Sequence, residues 1–220
     1  MLTPEELQRL KAACAGLPAT GLLEEEAHVF DSPILILMST VLSLNRSWYK
    51  VAKPARERFE KTTYAALEPK TLVRCQELLE RTSARGTDWL SLARSLWGTN
   101  EQQKARLLSR LVDYFVSWRW ARHPGMGDLD ALRAWAKSTS KEQFLGSIPG
   151  LGPRAYEQLL WYLDDAIKLD RHVSRFVDRA VGRTVSEATQ AQALRAVAAE
   201  MGLSATQLDA RIWDRVQGQG

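Results

Sequence analysis

Apolar residues recur along most of the chain with the three- to four-residue spacing of amphipathic helices, and no run of alternating β-branched residues predicts a strand. The sequence therefore predicts an all-α fold. Residues 3–6 (TPEE) combine an N-cap residue, a proline and two acidic residues, which predicts a helix that starts here and ends near Gly16.

The most apolar segment predicts a buried helix at the centre of the fold. It starts at Asp31 or Ser32 with Pro33 in the first position, and residues 34–42 are apolar on nearly every side. A helix with no polar face must be covered by other elements. The same spacing predicts further helices at residues 48–61, 69–82, 88–97, 102–122, 130–137, 141–147, 187–201 and 205–216.

The longest of these helices, residues 102–122, has an apolar side and a basic side. The spacing turns five apolar residues inward and four cations largely outward, namely Leu107, Leu108, Leu111, Phe115 and Trp118 against Lys104, Arg106, Arg110 and Arg119. Residues 123–128 (HPGMGD) then form the clearest loop of the sequence.

The charge of the chain permits nucleic-acid binding but does not require it. Its 220 residues include 30 Lys and Arg against 26 Asp and Glu, which gives a net charge of +4 at pH 7. Two cysteines, Cys14 and Cys75, form neither a disulfide framework nor a four-cysteine iron–sulfur cluster. The three histidines show no metal-ligand spacing, so neither a metal nor another cofactor is expected.

The sequence predicts a cytoplasmic protein without a membrane segment. The longest uncharged apolar run, residues 32–45, is too short to span a bilayer. Residues 1–17 carry acidic residues instead of the basic start and apolar core of an export signal. The phosphate-binding GxxxxGK[ST] motif and the GxSxG motif of serine hydrolases are both missing from the sequence.

Residues 148–154 (IPGLGPR) lie between two helical segments and predict a tight hairpin. Gly150 and Gly152 both permit positive φ and a close approach to the backbone, and the free N–H groups at the start of the next helix form a site for an anion. Such a segment is either an ordinary turn between helices or a backbone grip for a DNA phosphate.

One aspartate, Asp170, follows the hairpin by about one helix. It precedes a helix whose apolar stripe is Val173, Phe176, Val177, Ala180 and Val181, and it is a natural N-cap for that helix. Capping does not exclude a catalytic role. On another side of the same helix, arginines recur at i, i+4 (Arg171, Arg175, Arg179 and Arg183), which indicates either a solvated face or contacts to DNA.

The hairpin, the helix after it and Asp170, in this order, resemble the helix-hairpin-helix (HhH-GPD) DNA glycosylases, the superfamily of endonuclease III. Its members share a hairpin of the form hydrophobic-Pro-Gly-x-Gly and an essential aspartate beyond it. Residues 41–46 (VLSLNR) match a third segment, in which a polar amide fills the hole left by an extruded base. Asn45 occupies that position, beside Arg46, and the resemblance runs from about residue 30 to about residue 215.

The resemblance implies a fold of two helical lobes with the active cleft between them. A helical barrel lobe would comprise residues 30–165, with the helix-hairpin-helix at about 141–167. The second lobe would combine residues 1–29 with 166–220, and Asp170 would lie at the cleft.

The resemblance also implies a monofunctional base-excision DNA glycosylase that needs no metal. One carboxylate, that of Asp170, is enough to stabilise the oxocarbenium-like sugar and to activate water. Bifunctional relatives have a lysine two residues after the second hairpin glycine, where this chain has Arg154. A guanidinium is not a usable amine nucleophile, so no AP-lyase activity is expected. Pro153 lacks an N–H group, which weakens the predicted phosphate grip.

The implied partner is double-stranded DNA with a damaged or mispaired base, bound by a monomer that associates with the bacterial nucleoid while it acts. The residues implied in DNA contact are Gly150, Leu151, Gly152, Arg154, Asn45, Arg46 and Arg175. Arg154 is a phosphate ligand, an ion-pair partner or a plain surface residue. Two alternatives remain at this stage: a non-catalytic, structure-sensing helix-hairpin-helix DNA-binding protein, and a helical protein-interaction module.

Overall fold

The structure of the protein, a computed structural model, describes residues 1–20, 22–84 and 88–217. Within these ranges every regular element is helical, so the predicted all-α fold class is confirmed. None of the helices in the described part of the chain combines the length and apolarity that a membrane crossing requires.

Thirteen α-helices follow one another in the described ranges, and two π-helical turns, Trp48–Ala52 and Glu60–Tyr64, flank the fourth. The helices are α1 (Pro4–Ala15), α2 (Leu22–Phe30), α3 (Pro33–Ser43), α4 (Lys53–Phe59), α5 (Leu72–Ala84), α6 (Trp89–Trp97), α7 (Gln102–Arg122), α8 (Asp128–Ser138), α9 (Lys141–Leu145), α10 (Pro153–Leu163), α11 (Arg171–Val181), α12 (Glu187–Glu200) and α13 (Ala205–Gln217).

Local capping signals define where several of these helices start. Thr3 caps α1 in a capping box, since its side chain accepts the Glu6 N–H at 3.2 Å while the Glu6 carboxylate accepts the Thr3 N–H at 2.8 Å. Ser32 caps α3 in the same sense, with Pro33 in its first turn. Both predicted starts are confirmed.

Contacts between Cα atoms divide the chain into two units. Unit 1 comprises Met1–His28 and Leu160–Gly220, and unit 2 comprises Val29–Leu159. The second boundary falls at 159–160, whereas the predicted lobes were divided at 165–166. That these units are the two lobes of a glycosylase fold stays a prediction.

Unit 2 is built around α3 and α7. Every residue of α3 from Ile34 to Leu42 is buried, as its all-round apolar pattern predicts. The long helix α7 packs against α3, α5, α6 and α8. Edge-to-face aromatic contacts fill the space between α7, α8, α9 and α10, and they join Tyr114, Phe115, Trp135, Phe144 and Tyr156.

Unit 1 has a separate core around α11. The predicted apolar stripe is confirmed, since Val173, Val177 and Val181 are buried and Phe176 and Ala180 pack against them. This stripe contacts α1, α12 and α13. Arg183 follows α11 and forms a two-pronged ion pair with the Glu6 carboxylate of α1, with nitrogen–oxygen distances of 2.6 and 3.1 Å.

Two features of the fold differ from the prediction. Residues 22–30 form α2, whereas the pattern gave no helix there. Lys104 was expected to face outward on α7, and that expectation is wrong: Lys104 is buried, because its ammonium group caps the C-terminal end of α3. Helical spacing cannot reveal a polar partner that another helix supplies.

The Glu6–Arg183 pair predicts how the stability of unit 1 depends on pH. The hydrogen bond from Arg183 lowers the pKa of Glu6 to about 2, below the usual 4.5 of a glutamate. The pair therefore stabilises the fold fully above pH 4.5, and this contribution is lost as the pH falls through about 2. We expect Glu6→Gln to lower the melting temperature at pH 7 and the difference from wild type to vanish near pH 2, measured by circular dichroism.

The matched control is Glu5→Gln, which changes an exposed carboxylate in the same turn of α1. It should leave the melting temperature nearly unchanged across this range. A Glu6→Gln protein as stable as wild type at pH 7 would contradict the assignment.

Candidate functional site

The hairpin lies in unit 2 between α9 and α10. Gly150 has φ +95°, a conformation that other residues rarely adopt, and a Cβ atom there would lie 3.0 Å from Cδ2 of Leu107. Ile148 and Leu151 are buried beneath the turn, and the Leu151 N–H donates to the Ile148 carbonyl at 3.2 Å. Because the Leu151 side chain is buried, only its backbone can contact a ligand.

Gly152 differs from Gly150, since both permit positive φ and, of the two, Gly150 alone adopts it. The φ of Gly152 lies outside the left-handed region, and a Cβ atom there would meet nothing within 4 Å. Gly152 is exposed and directly precedes Pro153, the first residue of α10. This surface is open enough for another molecule to approach the backbone.

Helix α7 supports the hairpin from below. The Arg110 guanidinium donates to the Pro149 carbonyl at 2.9 Å, and Leu107 fills the space beside Gly150. The sequence pattern placed Arg110 on a solvated face and gave no indication of this role, because its partner lies 39 residues away.

Arg154 forms an ion pair within α10. Its guanidinium lies 2.7 Å from the Glu157 carboxylate, which also accepts from Lys141 at 3.1 Å. Of the three interpretations left open for Arg154, the structure shows the ion pair. Its side chain remains about half exposed, so contact with a phosphate stays a prediction.

Asn45 lies in a turn directly after α3 and is exposed. Its φ is +55°, in the left-handed region that asparagine tolerates better than most residues. Arg46, next to it, pairs with Glu101. The end of α3 also reaches the second hairpin helix, since Ser43 Oγ donates to Gln158 Oε1 at 3.3 Å. The structure thus brings the Asn45 turn and the hairpin helix together in unit 2.

Lys104 holds the Asn45 turn from beneath and was missed by sequence reasoning. Its ammonium group donates to the Leu42 carbonyl, near the end of α3, and lies 3.8 Å from the Glu101 carboxylate. Burial lowers the pKa of Lys104 to about 8; Glu101 raises it and Arg46 lowers it further. Lys104, Leu107 and Arg110 lie three residues apart on α7, so one face of this helix supports both predicted DNA-contact elements.

Asp170 lies in unit 1 and caps α11, as its position predicts. Its Oδ1 accepts the N–H groups of His172 at 2.7 Å and Val173 at 3.0 Å. Among the described residues Oδ2 has no hydrogen-bond partner, and the residue is half-buried. The cap therefore fixes the carboxylate through Oδ1, and Oδ2 can accept a hydrogen bond from a ligand or a water molecule.

The four arginines in and just after α11 have different surroundings. Arg183 forms an ion pair with Glu6, and Arg171 Nε lies 3.3 Å from Nε2 of His172. Arg175 and Arg179 are exposed and have no ion-pair partner in the described part of the chain. Arg175 is thus available to a ligand, and its contact with DNA stays a prediction.

Neither a metal cluster nor a reactive thiol stands out within residues 1–20, 22–84 and 88–217. No group of three or more His, Cys, Asp or Glu side chains there has the arrangement of a metal site. Burial raises the pKa of both Cys14 and Cys75 to about 12, so these thiols are inert at neutral pH.

Residues 129–217 are similar to a domain of unknown function, DUF8548. The matched segment includes the hairpin, Arg154, Asp170 and Arg175, and it leaves out Asn45 and Arg46. Neither the curated proteins nor the solved structures include a match to the chain.

The two hairpin glycines should differ sharply in their tolerance of a side chain. Gly150→Ala forces alanine into φ +95° and against Leu107, so we expect a loss of about 1–2 kcal/mol in the free energy of unfolding. Gly152→Ala meets open space and should stay within about 0.5 kcal/mol of wild type. Urea unfolding measures both, and equal losses for the two variants would contradict the observed hairpin geometry.

Proposed function

We propose that this protein is a monofunctional DNA glycosylase with the two-lobed HhH-GPD fold. It hydrolyses the N-glycosidic bond of a damaged or mispaired base flipped out of double-stranded DNA, with Asp170 as the catalytic residue. The arrangement of the Asp170 carboxylate is the observation that carries this proposal.

The N-cap of α11 prepares Asp170 for such a role. Two backbone N–H groups hold Oδ1 at the N-terminal end of α11, while Oδ2 has no hydrogen-bond partner in the described part of the chain. An oriented carboxylate with one oxygen available suits the stabilisation of a sugar cation and the activation of one water molecule.

The proposed reaction is hydrolysis of the N-glycosidic bond. The bond between C1′ and the base nitrogen breaks, and the departing base takes the electron pair and then a proton. The Asp170 carboxylate stabilises the positive charge that develops on the sugar. Water adds its oxygen to C1′ and gives its proton to Asp170 or to solvent, which leaves an abasic site and the free base.

The hairpin and the Asn45 turn would hold the DNA. An open backbone at Gly152, before the N-terminal end of α10, suits contact with a phosphate, and the half-exposed guanidinium groups of Arg154 and Arg46 would offer N–H donors beside these two elements. Base flipping costs a few kcal/mol, and Asn45 would offset part of that cost by filling the vacated space. Arg175 would contact the DNA backbone from unit 1.

The abasic site is the final DNA product of the proposed reaction. A lyase step needs an amine, and Arg154 carries a guanidinium whose charge is compensated by Glu157. The protein should therefore leave the DNA strand intact.

One observation favours the second candidate function, a structure-sensing DNA-binding protein without catalysis. The cap that orients Asp170 is also a sufficient structural reason for an aspartate at this position.

Replacement of Asp170 by asparagine separates these two functions. The amide oxygen of Asp170→Asn can accept the same two N–H groups, so α11 and its cap should persist while the negative charge is lost. On a duplex from which wild type releases a base, we expect single-turnover excision to fall at least about 100-fold and DNA affinity to stay unchanged.

Asp178→Asn is the matched control, because it removes a second half-buried carboxylate of α11 away from the cap. It should excise at the wild-type rate. An Asp170→Asn protein as active as wild type would remove Asp170 from the mechanism.

The phosphate grip is tested at Gly152, where a side chain costs the fold little. Gly152→Asp puts a negative charge where a phosphate should lie, so we expect duplex affinity to fall at least about tenfold, on matched and lesion duplexes alike. Fluorescence anisotropy measures it, with Gly152→Ala as the control for side-chain volume.

Gly125→Asp controls for charge alone, since it adds the same side chain to an exposed loop position in the same unit. If a folded Gly152→Asp protein binds duplex as tightly as Gly125→Asp does, the hairpin is an ordinary turn and the proposed phosphate contact is refuted.

A further inference from the structure

Asp209 is a buried carboxyl group in α13 that the proposed reaction does not use. The residue is 4% exposed, and its Oδ1 accepts the N–H group of Lys168 at 3.2 Å. Lys168 lies two residues before Asp170, and its carbonyl in turn accepts the Asp170 N–H at 2.8 Å. Two hydrogen bonds, joined through the backbone of Lys168, therefore link Asp209 to the backbone of Asp170.

The connection between α10 and α11 is tied to α13 at two further points. Asp165 Oδ1 accepts the Thr206 N–H at 2.8 Å, and Thr206 Oγ1 donates to the Ala166 carbonyl at 3.5 Å. Of these three hydrogen bonds, the one to Asp209 lies nearest to Asp170 in the sequence. All these residues belong to unit 1.

The surroundings of Asp209 disfavour its charged form. Burial raises the pKa of Asp209 to about 8, Lys168 lowers it, and the nearby charge of Asp170 raises it again. The Lys168 N–H and the Trp161 indole are hydrogen-bond donors that lower it. The other helices packed against α13 present apolar residues to the shared core, namely Val173, Val177 and Val181 from α11 and Leu194, Val197 and Ala198 from α12.

We propose that Asp209 is a positioning residue for Asp170. In its neutral form it holds the Lys168 backbone, and with it the Asp170 cap, without placing a second negative charge beside the first. The expected effect of Asp209 on excision rests on the glycosylase function proposed above. Its expected effects on stability and on hydrogen exchange at Lys168 do not.

The pH dependence of stability has a definite sign. In the unfolded chain an aspartate ionises near its ordinary pKa of 3.8, and in the fold Asp209 keeps its proton up to about pH 8. The native state binds more protons between these values, so wild type loses stability relative to a neutral isostere as the pH rises through this window. Ionisation above about pH 8 places a second negative charge near the Asp170 carboxylate.

Two substitutions test the proposal without any assay of activity. Asp209→Asn keeps an acceptor for the Lys168 N–H but cannot ionise, and Asp209→Leu has the same branched shape without an acceptor. We expect amide hydrogen exchange at Lys168 to be at least tenfold faster in Asp209→Leu and nearly unchanged in Asp209→Asn. We also expect the melting temperature of Asp209→Asn relative to wild type to rise from pH 4 to pH 8.

Asp214→Asn is the matched control, because it changes another carboxylate of α13, one that accepts from Thr20. It should alter neither measurement. The proposal would be overturned if the difference in melting temperature between Asp209→Asn and wild type stayed constant from pH 4 to pH 8. It would also be overturned if the Lys168 amide exchanged at the wild-type rate in Asp209→Leu. The asparagine variant decides the matter even if Asp209→Leu does not fold.

Excision assays then test the catalytic consequence. Asp209→Leu should lower single-turnover excision at least tenfold with unchanged DNA affinity, and wild type should lose rate above pH 8 where Asp209→Asn does not. If wild type excises nothing, the function proposed above fails, while the exchange and stability results still decide the role of Asp209. Excision at wild-type rates by a folded Asp209→Leu would refute the positioning role.

Discussion

Backbone N–H and carbonyl groups at helix ends and in connections need partners, and much of the candidate site consists of the residues that meet this need. Asp170 accepts the first N–H groups of α11, Lys104 donates to a carbonyl at the end of α3, and Arg110 donates to the Pro149 carbonyl of the hairpin. Asp209 accepts the N–H of Lys168 in the connection that leads to Asp170. Each of these side chains fixes a backbone segment that the proposed function uses.

These ties give each unit its own local framework. In unit 2, one face of α7 supports the Asn45 turn and the hairpin together, so the spacing of these two elements is set by a single rigid helix. In unit 1, α13 fixes the connection before Asp170 through Thr206 and Asp209. A site held by packed helices keeps its geometry better than one built on unsupported loops.

Features encoded by neighbouring residues could be predicted from the sequence, and features that depend on distant partners could not. The caps at Thr3, Ser32 and Asp170 and the stripe of α11 follow from short-range patterns, and the structure confirms them. Lys104, Arg110 and Asp209 resemble solvated residues until the partner helix is in place. Gly152 shows a different limit, because glycine permits positive φ without requiring it.

The most direct test of the account is the release of a free base from DNA. A panel of duplexes, each with one damaged or mispaired base, is incubated with excess wild-type protein, and released bases are measured by mass spectrometry. If the protein is a monofunctional glycosylase, at least one base is released, the abasic strand stays intact, and borohydride traps no covalent adduct. Duplex binding without release of any base would contradict it and would establish the non-catalytic DNA-binding function instead.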